Sequence, residues 1–561
     1  MIVNMNNDQK ELKKETQRAV RKLFNFEVDQ VDLERPTDPE HGDLATNIAF
    51  KLAGRLKKDP KAIAEKIADE MRGDFFKHEA RGGFVNFYFT DRFLQNKIES
   101  ILKFEKKEKE KTMVLDYSAP NIAKPFGIGH LRSTIVGQAI YNIYEYSGWN
   151  CIGVNHLGDW GTQYGKLLYQ ITQKNLDPEE LSVKDLERLY VDFHKEAEEH
   201  PEMEDEARKW FKKLEDGDEK ARKIWKKCVE VSLKEFDKIY SLLEVDIDHV
   251  MGESFYEEKM EAVIKEAKEK GVAKESEGAL IVDFGEEMPP AMLLKSDGST
   301  TYFTRDLATA KYRIDKWNPD LLIYEIGADQ KLHMRQLFRT VEILGWKDKN
   351  DFMHVAHGMY RLKDGAMSTR KGRTVHLENV LSEAIERAEK IIENSETTGE
   401  ITEQKKKEIA KKVGVGAVKY ADLKKHYKKD IVFDWDKVLN LKGDSGPYLQ
   451  YTALRAKSVL KKAESDDFYL IGLSEKERMI VKKASEFEEV VERSEKNFTP
   501  SVLAGFAYDL AREFNGFYSE YSILDADTEE ERRRRISITE TVFSLLEKSL
   551  NLLGISIPSE M

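Results

Sequence analysis

The spacing of apolar positions along the chain predicts an open parallel sheet in its middle part. Four short apolar runs predict buried strands over 113–115, 151–155, 321–326 and 353–360. Residues 135–140 have the spacing of a helix that packs on such a sheet. Strands that alternate with helices favour an α/β fold of the nucleotide-binding kind.

The N-terminal stretch predicts a separate α+β domain over residues 1–110. Amphipathic spacing predicts helices over 10–23, 45–56 and 60–71, and alternating aromatic residues predict a strand over 82–89. The stretch ends in an almost purely charged segment typical of a solvated linker.

Helical patterns dominate two further stretches of the chain. Charged amphipathic segments such as 221–243 predict a helical insertion over 175–290, between a first half (111–174) and a second half (291–400) of the nucleotide-binding domain. Residues 401–561 read as all helix, with helices over 475–494, 501–518 and 537–553, and predict an all-α bundle. The expected fold is therefore a multidomain α/β protein with an N-terminal α+β domain, a parallel-sheet domain carrying a helical insertion, and an all-α C-terminal bundle.

Composition narrows the classes of protein. The 561 residues exceed what one core holds, and 40% are hydrophobic while 35% are charged. The sequence has neither a run of about 18 apolar residues nor the apolar centre of a signal peptide, so we expect a cytoplasmic protein. Cys151 and Cys228 are too few for a disulfide framework or a zinc site. The net charge of -12 argues against indiscriminate nucleic-acid binding but leaves room for a local basic face.

Residues 117–134 are well suited to bind a phosphate group. Prolines and glycines separate a predicted strand from a helix N-terminus, where free N–H groups and the helix dipole favour an anion. Lys124 adds a fixed positive charge and His130 an adjustable one. Neither the dinucleotide fingerprint nor the P-loop pattern is present. The alternative is an ordinary strand–loop–helix in which His130 caps a turn.

Three other loops have a composition that suits ligands. Residues 156–165 carry three glycines with an Asp and a Trp after a predicted strand, although Trp160 could serve only the core. Gly327 at a strand end, with Asp329 two residues on, suits ribose recognition. Residues 361–372 combine glycines with four cations, which suits a loop that closes on pyrophosphate; the alternative is a solvated basic turn.

The tetrapeptide Gly127-Ile128-Gly129-His130 is similar to the HIGH motif of class I aminoacyl-tRNA synthetases, and the strings around it resemble the arginyl-tRNA synthetases. The strings that carry this resemblance are 42–47, 83–87, 117–134, 156–165, 302–310, 327–333, Met367-Ser368-Thr369-Arg370 in place of KMSKS, 443–456 and 552–558. They cover nearly the whole chain in the order of the family.

The resemblance implies a ligase that joins arginine to tRNA-Arg in two steps. The arginine carboxylate attacks the α-phosphorus of ATP, and the terminal ribose hydroxyl of the tRNA then takes the arginyl group. It also implies Mg²⁺ on the ATP phosphates, no tightly bound cofactor, no protein metal site, and a need for tRNA in the first step. L-arginine, ATP and tRNA-Arg are the expected partners of a chain that works as a monomer without a membrane.

The resemblance also assigns roles to individual residues. The expected catalytic residues are Lys124, His130, Arg370 and Lys371, which contact phosphate oxygens. The expected ATP-binding residues are Gly127, Gly129, His130, Gly327, Asp329, Met359, Met367 and Ser368. The expected arginine-binding residues are Ser118, Asn121, Glu253, Tyr302, Asp306 and Gln330. The expected tRNA-binding residues are Asn47, Tyr448, Tyr451 and Arg455.

Each role has a plainer alternative. A planar guanidinium is best met by paired carboxylate oxygens, which an ammonium cannot engage in the same way, and this favours Asp306 as an arginine ligand. Asp306 could equally stabilise a helix N-terminus while Tyr302 packs, and Glu253 could be solvated. Tyr448, Tyr451 and Arg455 share one helix face that suits stacking on bases, but such a stripe is more often core.

Departures from the family pattern keep other functions open. Gly127 replaces the first His of HIGH, and Ala366 and Thr369 replace two lysines of KMSKS, so Lys124 is the expected substitute. A class I synthetase for another amino acid should lack the Tyr302 and Asp306 pair. A small-molecule nucleotidyltransferase has no use for the C-terminal bundle. A catalytically weakened tRNA-binding paralogue is the non-enzyme alternative, and Gly127 supports it.

Overall fold

The computed structural model describes residues 5–71, 75–104, 108–361, 375–393, 402–432, 434, 443–463 and 467–560. Its helices are α1 Met5–Phe24, α2 Ile48–Leu56, α3 Pro60–Glu70, α4 Asp91–Leu102, α5 Ile128–Tyr146, α6 Thr162–Gln173, α7 Val183–Glu199, α8 Glu202–Glu215, α9 Glu219–Leu243, α10 Met260–Glu269, α11 Tyr302–Trp317, α12 Lys331–Ile343, α13 Leu377–Glu393, α14 Glu403–Leu423, α15 Gly446–Lys462, α16 Glu475–Ser485, α17 Phe487–Asn497, α18 Pro500–Glu520 and α19 Glu529–Leu552. Its strands are β1 Leu44–Thr46, β2 Phe76–Arg81, β3 Phe84–Phe89, β4 Thr112–Asp116, β5 Asn150–Asn155, β6 His249–Val250, β7 Ala273–Ser276, β8 Ala279–Val282, β9 Ala291–Leu294, β10 Leu321–Gly327, β11 Phe352–His357, β12 Tyr360–Arg361 and β13 Ile431–Val432.

The chain forms two compact units. One consists of Met1–Glu105, Tyr451–Arg493 and Gly505–Ser549, and the other of Lys106–Gln450, Ser494–Ala504 and Leu550–Met561. No helix in the described ranges combines the length and the apolar character needed to cross a membrane.

The larger unit is built on a five-stranded sheet with the order β11-β10-β4-β5-β6, in which every neighbouring pair is parallel. Val114, Leu322 and Val154 in its strands are fully buried, which explains the short apolar runs in the sequence. Because all strands run the same way, β4, β5, β10 and β11 end at one edge of the sheet. That edge is where open α/β sheets bind ligands.

Helices and a small sheet complete the larger unit. Helices α7, α8 and α9 lie within the predicted helical insertion, and the predicted helix over 221–243 is α9. The same stretch also contains the strands β6, β7 and β8, so the expectation that it is helical throughout was wrong there. The antiparallel sheet β7-β8-β9 packs its buried residues, such as Val282 and Leu293, into one core with α10, α11 and α12.

The last predicted strand of the parallel sheet is shorter than its apolar run. It ends at His357, and Tyr360–Arg361 pairs instead with β13, whose Ile431 lies opposite Tyr360. The expectation that residues beyond 401 are all helix was therefore wrong at β13. Only the chain's return from a distant segment creates this pairing, so no local pattern showed it.

The smaller unit contains an antiparallel sheet with the order β1-β3-β2 and helices α1–α4. The predicted helix over 45–56 begins only at Ile48, because Leu44–Thr46 is a strand that pairs with β3. Buried Lys97 of α4 donates to Glu488 of α17 at 2.8 Å and joins the N-terminal elements to the C-terminal helices of this unit. The predicted helix over 475–494 is two helices, α16 and α17, that meet at Glu486.

Candidate active site

A cleft of about 570 Å³ opens at the carboxyl edge of the parallel sheet. Its wall includes eleven of the predicted site residues: Ser118, Asn121, Gly129, His130, Glu253, Tyr302, Asp306, Gly327, Asp329, Gln330 and Met359. Lys124 and Gly127 are not among its lining residues. Met367, Ser368, Arg370 and Lys371 lie outside the described residues.

The loop after β4 forms one side of the cleft in a strained backbone conformation. Ser118, Ala119 and Ala123 have φ angles of 73°, 46° and 60°, a region that residues other than glycine rarely adopt. The Ser118 N–H donates to Ser133 Oγ at 2.8 Å, and the Ser118 hydroxyl is 2.8 Å from the hydroxyls of Thr134 and Tyr240. The Ser118 side chain therefore holds the loop, and its hydroxyl is already engaged inside the protein.

Asn121 is positioned by the neighbouring loop after β5. The Gly158 N–H donates to Pro120 O, and the Ile122 N–H donates to Gly158 O, each at 3.1 Å. A Cβ at position 158 would lie 2.2 Å from Asn121 Oδ1, so only glycine leaves the amide in place. Two loops at the sheet edge thus fix a polar group in the cleft wall.

Glu253 is also fixed by the loop after β5. Its N–H donates to Leu157 O at 2.9 Å. The buried carboxylate of Asp159 accepts from the Ser254 N–H at 2.8 Å and from the Ser254 hydroxyl at 2.7 Å. Burial, opposed by Arg305 and reinforced by neighbouring carboxylates, raises the pKa of Glu253 to about 8. Glu253 is therefore an enclosed carboxyl group, not a solvated one.

Asp306 faces the cleft from the first turns of α11. His333 Nε2 is 2.6 Å from Asp306 Oδ2, and His156 Nε2 is 3.9 Å from Oδ1. Burial by itself would raise the pKa of Asp306, but the hydrogen bond to His333 and the nearby His156 outweigh it and lower the pKa. Asp306 is thus a held, ionised carboxylate whose Oδ1 is available to a cationic ligand. Tyr302, one turn earlier, is 63% exposed and presents its ring to the same space.

The far end of the cleft is formed by the ends of β10 and β11. Gly327 ends β10, and exposed Asp329 and Gln330 follow it. Met359 is 45% exposed, and its N–H donates to Asp430 Oδ1 at 2.9 Å. A Cβ at Gly358 would lie 2.6 to 2.7 Å from the backbone of Lys429 and Asp430, so glycine at this position accommodates the protein's own chain.

The HIGH-like motif begins α5, and burial determines the ionisation of its His130. Gly127 is the N-cap residue, and its N–H donates to His130 Nδ1 at 3.2 Å. Burial, followed by the charges of Lys124 and His357, lowers the pKa of His130 to about 4. The adjustable charge expected on His130 is therefore absent at neutral pH. With Nδ1 accepting, the ring carries its proton on Nε2 and is a neutral donor.

Lys124 points away from the cleft toward the helical insertion. Its Nζ donates to Gln163 Oε1 at 3.1 Å and lies 4.9 Å from the centre of the Tyr190 ring. The side chain is long enough to rotate about its four-carbon stem. A role on phosphate oxygens requires that rotation.

Sequence reasoning missed several residues at the sheet edge. Asp116 ends β4, forms a 2.8 Å ion pair with buried Arg313, and keeps Oδ1 without a hydrogen-bond partner among the described residues. His156 directly follows β5, and neither of its ring nitrogens has a hydrogen-bond partner in the described ranges. His333 holds the Asp306 carboxylate through its Nε2. The rule that selected Asp329, a polar residue at a strand's carboxyl end, would also have selected Asp116 and His156.

The predicted tRNA contacts are not lining residues of this cleft. The Arg455 guanidinium carbon is 4.8 Å from the ring centres of both Tyr451 and Tyr518, and Nη1 donates to Asn515 Oδ1 at 2.6 Å. Tyr448 lies one turn before Tyr451 in α15 and is half-buried. Asn47 is the N-cap residue of α2, but it makes no side-chain capping hydrogen bond. These positions leave their predicted role untested.

Metal-ligating side chains are not clustered in the described ranges, where no group of three His, Cys, Asp or Glu residues has the arrangement to hold an ion.

Three family models match the chain. The model for tRNA synthetases class I (R), catalytic domain, matches residues 93–435. The arginyl tRNA synthetase N terminal domain matches 10–89, and the DALR anticodon binding domain matches 449–561.

Full-length relatives and solved structures agree with these models. The chain is 41% identical to an arginine–tRNA ligase of Halothermothrix orenii, with 96% of this chain and 98% of the relative covered. It is 42% identical to an arginine–tRNA ligase of Clostridioides difficile, with 94% and 95% covered. The crystal structure of arginyl-tRNA synthetase from Plasmodium falciparum superposes with a TM-score of 0.82 at 27% identity, covering 98% of this chain and 99% of that one. The Thermus thermophilus arginyl-tRNA synthetase, 24% identical with 98% of this chain and 100% of that one covered, has the same fold with a TM-score of 0.82.

Proposed function

The chain belongs to the arginyl-tRNA synthetase family of class I synthetases, and from this premise we propose that it is an arginine–tRNA ligase. It activates L-arginine with ATP and transfers the arginyl group to the 3′ end of tRNA-Arg. The domain limits of the sequence interpretation are proposed with it: residues 1–110 and 401–561 bind tRNA, and 111–400 hold the catalytic halves and their insertion.

One observation supports the choice of arginine. Two enclosed carboxyl groups, Glu253 and Asp306, face the same end of the cleft beside the exposed ring of Tyr302. A guanidinium offers five N–H donors in one plane, and two carboxylates with an aromatic ring satisfy both its charge and its shape. A neutral amino acid would leave the ionised carboxylate of Asp306 without a cation from the substrate, which is costly in an enclosed site.

Other predicted residues of the cleft wall are assigned to the rest of the arginine molecule and to ATP. Asn121 and Gln330, which line the same cleft, are proposed to bind the amino and carboxylate groups of arginine. Gly327, Asp329 and Met359 form the nucleotide end, where Asp329 accepts from ribose hydroxyls. This arrangement brings the arginine carboxylate toward the α-phosphorus of ATP, and orientation of that kind supplies much of the rate enhancement.

Stabilisation of the phosphate oxygens is assigned to both described and undescribed residues. His130 donates from Nε2 as a neutral ring, and Lys124 contributes a positive charge after leaving Gln163. Arg370 and Lys371, beyond the described ranges, are proposed to contact the departing pyrophosphate. Mg²⁺ enters with ATP as part of the substrate and offsets the charge of its phosphates.

Transfer to tRNA is proposed to involve residues outside the cleft wall. Asn47, Tyr448, Tyr451 and Arg455 are proposed tRNA contacts, and the match of 449–561 to an anticodon binding domain supports the last two, with Tyr448 directly before it. Bound tRNA is proposed as a requirement for activation. We further propose a cytoplasmic monomer.

The experiment that tests this function is ATP–pyrophosphate exchange with each amino acid in turn, with and without tRNA-Arg. Exchange that depends on arginine and tRNA supports the proposal. Exchange with another amino acid would indicate a different class I synthetase. Absence of exchange with every amino acid, together with retained tRNA binding, would indicate the weakened paralogue.

A further inference from the structure

A guanidinium of the protein itself lies behind the proposed arginine pocket. Arg305 is 7% exposed and sits in α11 between Tyr302 and Asp306. Its Nε donates to Glu257 Oε1 at 2.8 Å, and its Nη1 donates to Glu253 Oε2 at 3.5 Å. Its guanidinium carbon is 5.5 Å from the centre of the Tyr302 ring. Arg305 is absent from the cleft wall, whereas Glu253, Tyr302 and Asp306 belong to it.

Glu253 therefore stands between Arg305 and the cleft. One carboxylate oxygen, Oε2, faces Arg305, and Oε1 makes no hydrogen bond with the described part of the chain. A carboxylate with one oxygen held from behind is pre-oriented for a second donor from the front.

Carboxylates outnumber cations at this point of the molecule. The ionisable groups that face Glu253 are Arg305, Asp306 and Tyr302 from α11, Glu257 from the short 3-10 helix Glu253–Lys259, Asp159 from the loop after β5, and Tyr164 from α6. Arg305 is the single cation among them. Because like charges disfavour ionisation and burial adds to their effect, the state of Glu253 depends on that one guanidinium.

We propose that Arg305 is a positioning residue for arginine recognition, which orients Glu253 toward the cleft and supports its ionised form. The substrate guanidinium then adds the second cation, so arginine binding completes the ionisation of Glu253 and releases its proton to solvent. This inference rests on the proposed function, because it assumes that arginine occupies the cleft.

The direction of the pH effect follows from the protonation state of Glu253 in the protein without bound arginine. The pKa of Glu253 stands at about 8, so the group is largely protonated at about pH 7 and largely ionised at about pH 9. Arginine binds the ionised form, so its affinity rises over this interval and then levels off. Removal of Arg305 raises the pKa of Glu253 further, and removal of the charge of Glu257 lowers it.

Two variants with opposite expected shifts test the inference. Arginine binding is measured by titration calorimetry from about pH 6.5 to about pH 9.5, in buffers of different ionisation enthalpy, so that released protons are counted directly. R305M should move the pH midpoint of affinity upward by about one unit and weaken binding about tenfold near neutral pH, because an opposite charge at this distance shifts a carboxyl pKa by at least that much. E257Q should move the midpoint downward.

Further variants separate positioning from general structural damage. R305K keeps the positive charge but not the planar set of N–H donors. Its pH midpoint of arginine affinity should therefore lie between those of R305M and the wild type. E253Q should release no proton on binding arginine. The KM for ATP in tRNA charging should stay at the wild-type value in R305M and E257Q.

The possible failures are distinguishable. A wild-type chain that neither binds nor charges arginine would overturn the proposed function. A wild-type chain that charges arginine, with E257Q and R305M showing the wild-type pH midpoint and proton count, would overturn the role of Arg305. If R305M does not fold, the downward shift in E257Q decides, and a wild-type midpoint there refutes the inference.

Discussion

Substitution of Asp306 by asparagine should weaken arginine recognition sharply while leaving the fold intact. The amide side chain would keep a carbonyl oxygen near the position of Oδ2, so the hydrogen bond from His333, now 2.6 Å, has an acceptor. What is lost is the negative charge beside the substrate guanidinium. D306N thus removes the negative charge of the side chain while keeping its shape.

The size of the effect can be worked from the surroundings of Asp306. Removing one partner of a buried, hydrogen-bonded charge pair costs about 2 to 5 kcal/mol. The Asp306 side chain is 27% exposed, so water screens part of the interaction and the lower end applies. A loss of about 2 to 3 kcal/mol corresponds to about a 30- to 150-fold rise in the KM for arginine.

The measurement is arginine saturation in tRNA charging at fixed ATP and tRNA, with D315N as a matched control. Asp315 lies in the same helix, pairs with Lys311 at 2.7 Å and has a side chain that is 57% exposed, so its neutralisation should change little. A D306N enzyme whose KM for arginine stays within twofold of the wild-type value would refute the pocket assignment.

Three further substitutions test other parts of the site. K124A should reduce the rate of ATP–pyrophosphate exchange about 100- to 1000-fold with tRNA affinity unchanged, because a positive charge near the developing pyrophosphate is lost. G158A should raise the KM for arginine about fivefold, since the new Cβ would lie 2.2 Å from Asn121 Oδ1 and displace that amide, whose hydrogen bond is worth about 1 kcal/mol. R132M should destabilise the protein by about 3 to 5 kcal/mol, seen as a lower thermal denaturation midpoint, because it leaves the carboxylate of buried Asp422 unpaired.

Each of these has a matched control and a result that contradicts it. K174A removes a lysine that is 37% exposed, and an exchange rate equal to that of K174A would exclude Lys124 from the mechanism. G54A adds a Cβ with no atom within 4 Å. A KM for arginine in G158A equal to that in G54A would contradict the role of Gly158. R188M removes an arginine that is 69% exposed, and equal denaturation midpoints for R132M and R188M would show that the buried pair contributes nothing to stability.

The parallel sheet could be read from local pattern because each of its main strands is a short buried run. Val114, Val154 and Leu322 are apolar for the simple reason that both faces of a parallel sheet are covered. Element ends were less predictable. Residues 45–46 were assigned to a helix because their apolar spacing fits either structure, and only the partner strand β3 decided the outcome.

In the candidate site, too, some features could be predicted from the sequence and others could not. The motifs of the sequence pointed to eleven residues that line one cleft. They converge because the carboxyl ends of parallel strands meet at one edge of the sheet, where such folds bind ligands. Their chemical states could not be predicted. His130 is a neutral donor because burial and neighbouring charges depress its pKa, and Glu253 has a raised pKa because it is enclosed among carboxylates. Lys124 lies against Gln163 and Tyr190, which are remote in sequence.

The sequence by itself thus determined which family the chain resembles, the order of its main elements and eleven residues of the cleft wall, because these depend on residue type and local periodicity. The tertiary structure alone decided that β12 pairs with β13, that Gly358 accommodates the backbone of Lys429 and Asp430, and that Arg305 stands behind Glu253. Such features arise from segments far apart in the chain, and the dielectric surroundings that set a pKa exist only once those segments pack together.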